Sequence, residues 1–224
     1  MDAQTCLKKL QYTGVLSFAT VDAQGNPQVR CISAIHFEPN ALYFFTAQGK
    51  AFCQELLRDG RVQILGYTRY KEMIRLSGRA TPVPAEEQKV YIDQIFSEQP
   101  YLSHVYPGET RRIGRVFCIR DMAIEYFNLG VRPIFRAVYR VGSVRLSAKG
   151  FRITDACTGC GACAAVCPQQ AILPGMPYGI VQAHCLHCGS CQKSCPSQAI
   201  MRRTDEDEEA ENPFKRAALD GEAL

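Results

Sequence analysis

The residues of this chain best suited to chemistry are eight cysteines near its C-terminal end. They read Cys157-x-x-Cys160-x-x-Cys163-x-x-x-Cys167-Pro168 and, 28 residues on, Cys185-x-x-Cys188-x-x-Cys191-x-x-x-Cys195-Pro196. The same offset relates Gly161 to Gly189 and Gln170-Ala171-Ile172 to Gln198-Ala199-Ile200, so the segment is an internal repeat. Three thiolates spaced two residues apart can wrap one face of an iron–sulfur cube, while a fourth, followed by proline, is carried away on the next turn. Gly161 and Gly189 can take positive φ in the ligand loop and leave room for backbone N–H groups to point at sulfur. The alternative chemistry is a pair of zinc knuckles built from the C-x-x-C pairs. Zinc takes four ligands per site and does not ask for a third cysteine at +6 or a Cys-Pro at +10, both of which occur twice here.

Residues 148–201 closely resemble the bacterial-type two-cluster ferredoxins. There the fourth cysteine of each run serves the other cluster. The resemblance therefore implies one 4Fe–4S cluster on Cys157, Cys160, Cys163 and Cys195 and a second on Cys185, Cys188, Cys191 and Cys167. Lys149–Thr154 and Ile180–Gln182 look like the short strands that precede each cluster loop. His184 and His187 flank Cys185; with four thiolates assigned to each cluster, His187 is expected as a donor that tunes potential rather than as a ligand.

The cluster repeat uses only a fraction of the 224 residues, enough chain remaining for one ordinary domain. Periodicity predicts a helix over 3–11 capped by Thr5, a strand over 14–21, a turn at Asp22–Pro27, and strands over 28–37 and 41–46 that complete an antiparallel meander. A helix opens at Gly49–Lys50 and stops at Asp59-Gly60. Strands follow over 61–68 and 71–82, then a helix over 84–96 with Glu86 and Glu87 in its first turn. Residues 100–110 read as loop, and 113–120 and 122–127 as the last strands. This is a mostly β unit, a small antiparallel barrel with a few helices at its openings (α+β), followed by a small α+β ferredoxin-like domain. The expected domains are 1–128, a connecting segment 129–147, the cluster domain 148–201, and an acidic tail 202–224 expected to be solvated or disordered. Ile134, Phe135, Val138 and Tyr139 make the connection too apolar for a free linker, so it is expected to lie extended over the barrel, and its arginines, Arg132, Arg136, Arg140 and Arg145, are candidates to face the clusters.

The segments Gly25–Phe37, Leu42–Tyr67 and Gly78–Ala80, in that order and spacing, resemble the FMN-binding split barrel of the pyridoxamine 5'-phosphate oxidase superfamily over roughly residues 3–128. The resemblance implies that Arg30, Cys31, Ile32 and Ser33 lie along the isoalloxazine. It also implies that Phe45, Thr46, Gln48, Gly49 and Lys50 hold the FMN phosphate, where a helix N-terminus offers free N–H groups, a hydroxyl a donor and Lys50 a charge. Lys50 alone is less basic than the oxidase's own stretch. Haem or a deazaflavin in place of FMN, or an empty barrel, is the alternative; His36 and His104 carry no partner pattern.

The net charge of +4 divides unevenly: residues 1–150 carry 20 basic and 13 acidic side chains, residues 202–224 carry 4 and 8. A basic domain can bind nucleic acid, but no nucleic-acid motif is present and none is expected as partner. With no apolar run of membrane-spanning length and no signal-peptide core, a cytoplasmic protein is expected. Cys6, Cys31, Cys53 and Cys118 are scattered and read as reduced, partly buried packing residues. Together these readings predict a flavin and iron–sulfur oxidoreductase of a reducing, anaerobic cytosol. A homodimer is implied by the barrel resemblance, with a ferredoxin-like redox partner and a small organic electron acceptor. The other reading is an electron carrier or redox sensor with no substrate of its own.

Overall fold

The computed structural model describes residues 1–205 and 207. Two compact units emerge, one of residues 1–126 with 138–144, the other of residues 127–137 with those from 145 on. In the first, the elements run α1 (Ala3–Thr13), β1 (Leu16–Val21), β2 (Pro27–Ile32), β3 (Ile35–Glu38), β4 (Ala41–Ala47), α2 (Ala51–Arg58), β5 (Arg61–Tyr67), β6 (Glu72–Arg79) and β7 (Thr81–Pro82). They continue as α3 (Gln88–Glu98), α4 (Leu102–Val105), β8 (Gly114–Ile119), β9 (Met122–Asn128) and β10 (Phe135–Val141), the last two strands crossing the boundary between the units. One sheet has the order β10-β9-β6-β5-β1-β2 and the other β3-β4-β8-β7. The chain changes sheet four times, at corners after β2, β6 and β8 and through α2 between β4 and β5, which is what splits the barrel.

The first corner corrects the strand expected over 28–37. Ser33 and Ala34 interrupt it: Ile35 N–H turns back to Ser33 C=O (2.9 Å), so Arg30 pairs with Phe18 in one sheet while Ile35 pairs with Phe44 in the other. The same step breaks the expected meander in two. Three further boundaries move for local reasons. Asp2, not Thr5, caps α1, its carboxylate accepting from Thr5 N–H at 2.7 Å. Helix α3 begins only at Gln88, since Pro84 C=O closes turns with Glu87 and Gln88 N–H, and Glu86 and Glu87 therefore precede its first turn. The stretch read as loop at 100–110 holds α4 and the start of a 3-10 turn over Gly108–Ile113.

The core explains why these strands hold. Phe18 on β1, Phe44 on β4 and Phe117 on β8 are fully buried, with Phe44 centred 4.9 Å from Phe18 and 5.8 Å from Phe117. Phe52 of α2 closes on the same stack, 5.7 Å from Phe44, and so seats the leading turn of α2 against the barrel. A second cluster at the barrel end joins Phe45 to Phe96 of α3 and to Tyr106.

The second unit carries β11 (Phe151–Ile153), α5 (Ala162–Ala165), β12 (Ile172–Leu173), β13 (Gly179–Ile180), α6 (Ser190–Ser194) and β14 (Ile200–Arg202). Strand β11 pairs antiparallel with β14, and β12 with β13. The sequence repeat is repeated in conformation: Gly161 and Gly189 have φ of 75° and 79° at the starts of α5 and α6, and Gln170 and Gln198 have φ of 52° and 51°. Phe151, Ile172, Ile200, Cys163 and Cys191 form its small core. Of the segment expected over the barrel, residues 129–137 belong to this second unit. Of the acidic tail expected over 202–224, Glu206 and residues 208–224 lie outside the described residues.

Candidate redox centres

A cavity of about 450 Å³ opens at the first corner of the barrel, lined by Arg30, Cys31, Ile32, Ser33, Phe45, Thr46, Lys50 and the first turn of α2. Seven of the nine residues expected around a flavin therefore meet at one place, because β2 ends where β4 passes and α2 begins. Gln48 and Gly49 are not among the lining residues. Gln48 instead turns to the barrel wall, donating from Nε2 to Gly114 C=O at 3.3 Å.

Charge in the cavity is arranged differently from the sequence reading. Arg30 donates from Nη2 to Glu55 Oε2 (2.9 Å), also bonds Thr20 Oγ1, and lies 4.6 Å from the Phe52 ring centre. Thr20 and Glu55 are buried and hydrogen-bonded to each other. Arg30 is thus held rigidly at the wall with its charge matched. Lys50 makes no ion pair among the described residues and stands as the N-cap of α2, whose Ala51 and Phe52 also line the cavity. A helix start with an unpaired ammonium beside it suits a phosphate. Glu55 went unread in the sequence although it carried a signal: a glutamate on the apolar face that Phe52 and Leu56 define.

The opposite wall was missed altogether. Tyr101, Leu102, Val105 and Tyr106 line it, and Tyr101 OH shares a hydrogen bond with Ser33 Oγ. Their i, i+4 spacing within the presumed loop was the available sign. Cys31, expected to be partly buried, is exposed, since β2 is an edge strand with alternate residues facing outward. Cys6, Cys53 and Cys118 are buried as expected. His36 is engaged with Glu98, Nδ1 to Oε1 at 2.8 Å.

In the second unit, Cys167, Cys185, Cys188 and Cys191 line one enclosed space together with Pro168, Gln169 and Leu186. Burial pushes the Cys185 thiol up, and the charges of Cys167 and Cys188 close by add to that. Cys163 is likewise raised by burial, with Cys157 and Cys160 as charged neighbours, and Cys195 packs on the same small core as Cys163. Backbone N–H groups do point at sulfur: Ala171 to Cys167 (3.3 Å), Ala199 to Cys195 (3.3 Å) and His187 to Cys185 (3.4 Å). Hydrogen bonding with Ser190 and Ser197 holds the Cys188 and Cys195 thiols below their ordinary range, favouring the thiolate a metal needs. Among the described residues no three side chains converge as they would around one metal ion. In a cube each iron takes a single thiolate, so the four sulfurs stand apart.

Comparison with known proteins bears on both centres. The family model for pyridoxamine 5'-phosphate oxidase matches residues 3–118, just over half of the chain. The chain belongs to the pyridoxamine 5'-phosphate oxidase family. Residues 156–199 match the 4Fe-4S dicluster domain, so the family's barrel is joined here to a cluster domain. A NimC/NimA family protein from Clostridium acetobutylicum shares the barrel fold, with a TM-score of 0.52 at 17% identity over 61% of this chain and 91% of its own. A pyridoxamine 5'-phosphate oxidase-related, FMN-binding protein from Nostoc punctiforme aligns over 63% of this chain and 93% of its own, at 18% identity and a TM-score of 0.47. No curated protein matches the chain. The cofactors that the two families bring are FMN and a pair of 4Fe–4S clusters, and the residues present fit both. No helix among the described residues is long and apolar enough to cross a membrane.

Proposed function

We propose that the chain is a flavin and iron–sulfur oxidoreductase that passes electrons between two 4Fe–4S clusters and FMN and delivers them to a small organic acceptor. The observation that carries the reading is the cavity itself, which collects Arg30–Ser33, Phe45, Thr46 and Lys50 beside the start of α2 in a chain that also holds the eight-cysteine repeat. Clusters exchange single electrons, whereas bound FMN supplies two-electron chemistry. Lys50 and the N–H groups of Ala51 and Phe52 would hold its phosphate, and the backbone of Arg30 to Ser33 its ring edge. The Arg30–Glu55–Thr20 set keeps that wall stiff. Cys157, Cys160, Cys163 and Cys195 would ligate one cluster and Cys185, Cys188, Cys191 and Cys167 the other.

A substrate needs room beside the flavin. Tyr101, Leu102, Val105 and Tyr106 offer an aromatic and aliphatic wall with one polar edge at the Tyr101–Ser33 bond, suited to a flat organic acceptor such as a nitroaromatic ring. That wall favours an enzyme over a pure electron carrier. We further propose a homodimer working in an anaerobic cytoplasm and fed by a ferredoxin-type donor. Exposed Val29 and Cys31 on the edge strand β2 support an interface beside the cavity.

Cofactor content of the anaerobically purified protein tests the proposal. About eight iron, eight sulfide and one FMN per chain are expected, with dithionite-driven reduction of nitroaromatic compounds. Eight iron with no flavin would overturn the cavity assignment; flavin with no acceptor turnover would leave the carrier reading.

A further inference from the structure

The two cluster loops are copies in sequence and conformation, yet their surroundings differ in charge. At the offset of 28, Cys157 has Ala156 and Gly159 where Cys185 has His184 and His187, and it follows the exposed Asp155 where Cys185 follows Ala183. The larger difference comes from outside the repeat. Residues 127–137 pack into the same unit, and Ile134 is clasped there on both sides. Its N–H donates to Gln169 Oε1 (2.9 Å) and its C=O accepts from His184 Nδ1 (2.9 Å). Gln169 lies two residues beyond Cys167, and His184 immediately precedes Cys185. The clasp therefore grips both chain segments that bring thiols into the space shared by Cys167, Cys185, Cys188 and Cys191. Two residues on from Ile134, Arg136 donates from Nη1 to Cys185 C=O at 3.2 Å, with Phe127 beneath its guanidinium at 5.4 Å.

We propose that Arg136 is a fixed cation that makes the cluster on Cys167, Cys185, Cys188 and Cys191 the higher-potential member of the pair, so that a single electron entering the unit settles there. The inference rests on the ligand sets proposed above. Reduction adds one negative charge to a cluster, and a guanidinium bonded to the carbonyl of a ligand residue would stabilise the reduced form more than the oxidised one. Arginine stays charged at every working pH. Its place is set by the Ile134 clasp and the Phe127 ring rather than by solvent, which limits screening. Lys193, exposed on α6 between a ligand of each set, gives no comparable preference. Arg136 acts through charge and position and is no ligand.

The test is an anaerobic potentiometric titration of the intact, cluster-loaded protein followed by electron paramagnetic resonance. Paramagnetically shifted cysteine β-proton resonances, assigned by residue, identify which cluster is reduced first. In the wild-type chain the Cys185-side cluster is expected to take the first electron with at least a tenfold preference, which is about 59 mV for one electron. In Arg136→Gln that preference falls about tenfold through the Cys185-side cluster alone, and Arg136→Lys retains most of it. Equal potentials in the wild type, first reduction at the Cys157-side cluster, or equal shifts of both clusters in Arg136→Gln would each overturn the proposal. Should Arg136→Gln fail to assemble its clusters, the wild-type order and Arg136→Lys decide it. An iron content other than about eight would instead overturn the ligand reading on which the inference stands.

Discussion

Glu72 shows how a single buried charge is held in the barrel. It is 6% exposed and accepts from Lys9 Nζ (2.8 Å), Tyr126 OH (2.6 Å) and Thr68 Oγ1 (3.0 Å). Burial pushes its carboxyl up, but those three hydrogen bonds outweigh burial and the net value lies below the ordinary 4.5. A depressed carboxylate stabilises the fold above its unfolded value and loses that stabilisation as pH falls through the folded one. Glu72→Gln is therefore expected to cost about 2 kcal/mol at pH 7, the gap to wild type narrowing as pH drops below about 4.5. Unfolding followed by tyrosine fluorescence measures it, the chain having no tryptophan; an equal gap at both pH values would exclude the ionised pair as the cause. Among the four cysteines outside the repeat, Cys31 is exposed at the cavity, whereas burial pushes Cys6 up to about 12 and Cys118 up to about 11. Iodoacetamide at pH 8 should label Cys31 first in the cluster-loaded protein, and added FMN should slow that labelling, as peptide mass mapping would record. Faster labelling of Cys6 or Cys118 would contradict the packing described.

At the scale of elements, the cavity depends on how closely β4 and β8 approach. Ala47 stands opposite Gly114 in their register, and a Cβ on Gly114 would lie 1.8 Å from the Phe45 ring. Phe45 in turn is wedged by Phe96 and Tyr106. Gly114→Ala is thus expected to destabilise the barrel by about 1–3 kcal/mol, as overpacking does, and to weaken FMN binding by displacing Phe45. Thermal unfolding with and without FMN checks both, and an unchanged melting temperature would show that the ring moves freely. Helix α2 makes a separate contribution. Lys50→Gln should weaken FMN about tenfold, the worth of one charge-assisted contact, while leaving riboflavin affinity unchanged, because riboflavin lacks the phosphate. Equal losses for both ligands would place Lys50 away from the phosphate.

At the scale of the whole molecule, the two units owe their stability to different sources. The barrel buries three mutually packed phenylalanines and the aliphatic residues around them, whereas the cluster unit has a core of Phe151, Ile172, Ile200 and two cysteines. A core that small needs its metal to stay folded. Stripping the iron should expose residues 145–201 to limited proteolysis while residues 1–126 resist it, and an iron-free chain resistant throughout would contradict this. The sequence alone determined the cluster chemistry, because thiol spacing and loop glycines are local and a repeated local pattern imposes a repeated local geometry. Most strands and helices of the barrel were legible for the same reason, but not their ends, the break within residues 28–37, α4 or β10. Tertiary structure decided what depends on residues far apart in the chain: the change of sheet at Ser33–Ala34, the pairing of Arg30 with Glu55, and the wall of Tyr101 to Tyr106 across from Ser33. It also set Arg136 on a carbonyl 49 residues away. Such contacts are fixed by loop closure and packing, to which no local spacing corresponds.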